Sequence, residues 1–224
     1  MMGKEDGGLS KMDHPNLTDL LGVNSEMPYG PDAFVNGAFQ VKDYVKVAFD
    51  LLIGVDSKVI VNKHYSEKDF ICIDGILIKV LDKSTFKKIY DTKSKKEYNA
   101  HILGFASSFR SDFWKYGGEA YILEGDLFKV MKIIGHEIGH LMERPMLNPV
   151  VEEAKAYAFE KAWGRVIGEN DIAGLSKTNI AQLIPPNDEV HYSAVRFVNE
   201  KVESGYEPLE LFYKIGELGV LPDM

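Results

Sequence analysis

Residues 135–141 read "GHEIGHL" and place two of the chain's six histidines, His136 and His140, four positions apart with Glu137 between them. On a helix that spacing is about one turn, so both imidazoles share a face and can reach a single ion. Glu137 sits too close to them to coordinate comfortably, but it can take and return a proton beside that ion. Chance produces such a spacing in about one chain in a hundred of this length. The residues therefore point to a metal centre with its own base.

That chemistry requires a helix. In "DLFKVMKIIGHEIGHLMER", Asp126 is a suitable N-cap, and Pro145 interrupts the run after about five turns. Leu127, Met131, Ile134, Ile138 and Leu141 recur at spacings of four and three, which makes them a core-facing stripe. At about 100° per residue, His136 and His140 lie roughly opposite that stripe, on an edge shared with Lys129.

A third ligand is needed. Glu143 is on nearly the same face, but seven residues from His136 amounts to about 10 Å of rise, so it reads as a surface or supporting residue. Beyond the break, Asn148 can cap a second helix with Pro149 at its first position. Glu152 and Glu153 fall in its opening turns, and Ala154, Ala156, Ala158 and Ala162 would let it lie close to the first helix.

These residues resemble the gluzincin zinc metallopeptidases, particularly the small cytoplasmic kind with a short link between ligand helices. The resemblance rests on His136-Glu137-x-x-His140 followed by "EAKAYAF", and covers roughly residues 120–164. It extends faintly to "HYSAVRFVNEKVESGYEPLELFYKIGELG", similar to the helical pair that closes such active sites. It implies one Zn²⁺ held by His136, His140 and Glu153, with Glu152 as the fallback. It also implies a zincin-like fold and peptide hydrolysis by a metal-activated water with Glu137 as general base. Two imidazoles and a carboxylate leave one position open, the catalytic rather than structural zinc arrangement. The resemblance offers His191 and Tyr192 as donors to the developing oxyanion, and an upstream sheet edge, "HILGFASSF" or "EAYIL", for substrate pairing. Tyr157 stands where many family members carry an acidic residue supporting a histidine, so that support must come from elsewhere.

The remainder of the chain supplies the setting. Val45, Ala48, Phe49 and Leu52 predict a helix over 41–55, and "KVIVNKHYS" a strand. "FICIDGILIKVL" predicts a hairpin turning at Asp74-Gly75. Ser84 is a candidate cap for a short helix through "TFKKIYD". Strand character returns in 98–109 and 113–123, with Gly117-Gly118 as a turn, and nearly everything after Gly125 reads as helix apart from loops near 144–149, 164–187 and 204–207. The fold class is α+β: a Gly- and Pro-rich N-terminal arm over 1–40, a mixed lobe over 41–125 and a helical lobe over 126–224 that carries the metal site at the join. Residues 41–224 form one catalytic unit, and the arm is a candidate to restrain the cleft.

Composition narrows the partners. A net charge of −8 gives no general affinity for nucleic acid or anionic membrane. There is no signal-peptide pattern and no long uncharged apolar stretch, so the expected location is the cytoplasm and the expected partner a peptide or protein substrate. Cys72, the single cysteine, reads as a small core residue, while His14, His64 and His101 show no ligand spacing. A di-iron carboxylate fold would need a second Glu-x-x-His motif and has none here. A non-haem iron centre also uses two histidines and a carboxylate, but paired helical histidines around a glutamate favour zinc hydrolysis. The competing reading from another class is a zinc-binding regulatory or interaction protein with little peptidase activity.

Overall fold

Asp74 and Gly75 both adopt positive φ, 46° and 82°, the geometry of a tight two-residue hairpin. They join β3 (Phe70–Ile73) to β4 (Ile76–Leu81) in register from Ile73↔Ile76 outward. The computed structural model describes residues 30–62, 70–94, 97–108 and 117–222. Within them β2 (Val59–Asn62), β3, β4, β5 (Gly104–Ser108) and β6 (Gly118–Leu123) form a five-stranded sheet in the order β2-β3-β4-β6-β5. All neighbours are antiparallel except β4 and β6, which run parallel. A parallel pair needs a long crossover; this one contains α2 (Lys83–Lys93) and then β5. Among the described residues the order leaves β5 at one edge and pairs β6 on both sides, so of the two candidate segments "EAYIL" is an interior strand and the β5 segment is the edge strand.

The sheet's two faces are covered differently. Ile71, Ile73, Ile76, Ile78, Val80, Ala120 and Ile122 alternate onto the face that joins the main core. There they share one core with α1 (Lys42–Ile53) and α3 (Leu127–Leu141). The opposite face carries Leu81 and Tyr121, covered by Phe86 of α2. Cys72 falls on that second face and is half-buried. The expectation that it is a core residue fails because the apolar run around it alternates and its neighbours Ile71 and Ile73 take the core positions.

Behind α3 lies α4 (Pro149–Glu169), with α5 (Glu189–Glu203) and α6 (Pro208–Leu218) packed on it. The stripe predicted on α3 is buried throughout: Leu127, Met131, Ile134, Ile138 and Leu141. Asp126 caps α3 by accepting from Lys129 N, and Asn148 caps α4 ahead of Pro149, as expected. Trp163 is fully buried and its Nε1 donates to Met131 O at 2.8 Å, pinning α4 to α3. Burying an aromatic of this size stabilises by about 3 kcal/mol.

Several boundaries differ from expectation. The cap of α2 is Asp82, which accepts from Thr85 N, while Ser84 donates to the same carboxylate from inside the first turn. Helix α4 runs through residues 164–169, expected to be loop. Gly164 there lets the 180–181 segment press on the helix, since a Cβ would meet Ile180 O and Ala181 Cα at 2.7 Å. Residues 30–40, grouped with the arm on composition, are built into the fold. β1 (Phe34–Val35) pairs with β7 (Gly125–Asp126), and Val35 and Ala38 are buried in the main core. The rest of the arm, residues 1–29, lies outside the described residues, as does His64. Gly117, in the expected turn, has φ 137°, and Gly118 opens β6; residues 109–116, of which 109 and 113–116 were expected to be strand, lie outside the described residues. No helix among the described residues is long and apolar enough to cross a membrane.

Candidate metal centre

Two glycines set the distance between the helices that build the site. A Cβ on Gly135 would strike the Trp163 ring at 2.4 Å, and one on Gly139 would lie 2.9 Å from both Ala156 Cα and Phe159 Cβ. Their bare backbones, facing the alanines of α4, allow an approach that any larger residue would prevent. Glu153, one turn into α4, is thereby brought against the histidine pair of α3.

The three groups converge. His136 Nε2 is 3.2 Å from His140 Nε2, and Glu153 Oε2 is 3.3 Å from the first and 3.7 Å from the second. Zinc bonds of about 2.0–2.1 Å directed to tetrahedral corners put neighbouring donors about 3.3–3.4 Å apart. Glu153 Oε2 is also one of two buried side-chain polar atoms, among the described residues, without a hydrogen bond; the other is Tyr98 Oη. A buried oxygen without a donor is costly unless something else satisfies it. The donor set and its spacing therefore fit a divalent zinc ion.

The far nitrogens of the two histidines have carboxylate partners, as metal-ligating imidazoles usually do. Glu160 Oε2 lies 3.1 Å from His136 Nδ1, and Glu152 Oε1 lies 2.7 Å from His140 Nδ1. Glu152 thus holds His140 from behind, and Glu153 faces the Nε2 atoms. Glu160 supplies the support for which Tyr157 is unsuited. Tyr157 instead lays its ring against His136, with centroids 4.6 Å apart. Glu160 falls seven residues after Glu153, two turns along the same helix face, and that periodicity was the available signal.

Glu137 is 5 % exposed and lies under the edge strand, where a Cβ on Gly104 would meet its Oε1 at 2.6 Å. Burial raises its proton affinity, partly offset by the imidazoles of His136 and His140. Glu153 goes the other way: burial opposes its charge, but His136, His140 and His191 outweigh this and hold it down at about 2. His136 is pushed well above its ordinary value because Glu153 and Glu160 overcome the cost of its burial.

These residues lie in a cleft of about 1040 Å³, bounded by β5 and its approach on one side and α3 and α4 on the other. His191 enters it from α5. Its Nε2 is 3.4 Å from Glu153 Oε2, and its Nδ1 is 2.6 Å from Asp188 Oδ1, the cap of its own helix. Tyr192, its partner in the sequence reading, is 49 % exposed and is not among the residues that line the cleft. The helix turns position 192 outward while Ala194, Val195 and Val198 face the core. Glu143 sits beside Gly216 of α6, outside the cleft lining. His101 lines the cleft but lies outside the His136–His140–Glu153 cluster. No protein-family model, curated protein or solved structure matches the chain.

Proposed function

We propose that the chain is a zinc-dependent peptidase in which His136, His140 and Glu153 hold the ion and Glu137 is the general base. One observation carries the reading: three donor atoms of the right types stand at tetrahedral-edge distances, and one of them is a buried oxygen with no hydrogen bond. A zinc ion held by these residues would supply a Lewis acid, whose effect is to lower the pKa of the attacking water towards ~7.

The chain's own groups do the rest. Glu137, whose proton affinity is raised by burial, accepts the proton of the attacking water and returns it to the leaving nitrogen. His191 is the donor to the substrate's carbonyl oxygen. Asp188 lies 2.6 Å from its Nδ1 and orients the ring, so that Nε2 is the atom turned towards the substrate oxygen as charge develops there. The free edge of β5 passes directly over Glu137 and would accept an extended peptide by strand addition, presenting its carbonyl to the base.

Glu137→Gln tests this reading. It should keep near-stoichiometric zinc by elemental analysis and lose about 10²–10⁴-fold in hydrolysis of a peptide library. Wild-type protein that holds full zinc but cleaves nothing would instead make the site that of a regulatory or interaction module.

A further inference from the structure

Lys155 is fully buried, between the buried Ala154 and Ala156. A lysine there must be desolvated, and an apolar side chain of similar length would fill the space without that cost. Its ammonium makes two contacts: it donates to Arg144 O at 3.0 Å and pairs with Glu152 Oε2 at 3.0 Å. The same Oε2 accepts from Met146 N at 2.7 Å, and the other oxygen of Glu152 meets His140 Nδ1 at 2.7 Å. One carboxylate therefore gathers three donors: a ligand candidate, a backbone amide of the 142–148 link, and a buried cation that also grips that link.

The support of His136 differs. Glu160 is opposed by Lys132 only at 3.5 Å, and Lys132 is partly exposed and donates to Gln182 O as well. The carboxylate behind His136 thus has one distant cation, whereas the one behind His140 gathers three protein donors at 2.7–3.0 Å.

We propose that Lys155 is a positioning residue for the metal centre: through Glu152 it fixes the ring of His140 and ties the short interhelical link to it. This rests on His140 being a zinc ligand. Without Lys155, Glu152 can turn towards the link, and His140 loses the acceptor that sets its tautomer and angle. Outer partners of this kind typically contribute 10–100-fold to metal affinity.

The experiment measures zinc affinity by chelator competition at fixed pH for wild type, Lys155→Met, Glu152→Gln and the double variant, with unfolding temperatures of the metal-free proteins alongside. Each single variant should weaken zinc about 10–100-fold. The double should match Glu152→Gln alone, because the lysine acts through that carboxylate. A folded Lys155→Met that binds zinc within about twofold of wild type overturns the proposal, as do effects that multiply in the double. Should Lys155→Met fail to fold, unchanged affinity in the nearly isosteric Glu152→Gln overturns it equally. Failure of the zinc reading looks different: wild type itself would then take up no metal, and both ideas fall together.

Discussion

Glu119 and Glu153 are both held down at about 2, yet the two carboxylates are built in opposite ways. On the outer face of the sheet, Glu119 takes Lys79 at 2.8 Å on one oxygen, and Lys93 and Tyr121 at 2.6 Å on the other. Three donors from three elements satisfy it. Glu153 has three imidazole nitrogens at 3.3–3.7 Å and no hydrogen bond on its buried Oε2. The first arrangement is closed and ties α2 to the sheet. The second leaves an acceptor whose natural complement is a cation from outside the chain. A perturbed carboxylate alone therefore does not mark a site; a perturbed carboxylate lacking a donor does.

The largest expected effect separates the two regions by metal content. His136→Ala with His140→Ala should reduce zinc from near one per chain to near zero by elemental analysis, while Glu119→Gln should leave it unchanged. Full metal in the histidine variant would place the ion elsewhere and remove the distinction.

A second, smaller effect sharpens it through stability. A ligand that binds only the folded chain stabilises by about 2.7 kcal/mol at a hundredfold excess over its Kd, or about 5–10 °C in a domain of this size. Wild type and Glu119→Gln should show the same increment when zinc is added to metal-free protein, and Glu153→Gln should show little of it. Equal increments in all three would mean that Glu153 is not a ligand.

These experiments also mark how far the sequence could be read. The helix that carries the histidine pair was legible because its determinants are local: an apolar stripe, the Asp126 cap, and His136 and His140 one turn apart. Asn148-Pro149 located the next helix for the same reason, and Glu153 followed from an alignment of short patterns. What escaped depends on how elements cross. The role of Glu160 is set by the close approach of α3 and α4, which Gly135 and Gly139 permit; its seven-residue spacing from Glu153, with Gly135 just before the motif and Gly139 inside it, was the available trace. The burial of Lys155 left no trace in the sequence, since burial is not encoded in its immediate neighbours. The edge position of β5 follows from a parallel pairing between β4 and β6, distant in sequence, and the alternation within 101–109 was too weak to reveal it. Tyr192 could not be separated from His191 until the helix phase fixed which of two adjacent residues entered the cleft.

The smallest effect belongs to Glu119 and depends on pH. Burial pushes its carboxyl up, but hydrogen bonds from Lys79, Lys93 and Tyr121 outweigh burial and leave it at about 2 against an ordinary 4.5. A folded-state value below the unfolded one means that the ionised form is favoured by folding. The contribution is thus complete above about 4.5 and disappears as pH falls towards 2. Because the cluster is partly solvated, its worth at neutral pH is about 1 kcal/mol rather than the full shift. Urea unfolding of chelator-treated wild type and Glu119→Gln should therefore differ by about that amount at pH 7 and pH 5. The gap should narrow at pH 4 and again at pH 3, with the variant's own stability changing less steeply across that interval. Chelation removes zinc release from both curves, so the narrowing reports the sheet cluster alone. A gap that stayed constant down to pH 3 would show that Glu119 contributes by packing rather than by charge, and the contrast with Glu153 would then rest on metal binding only.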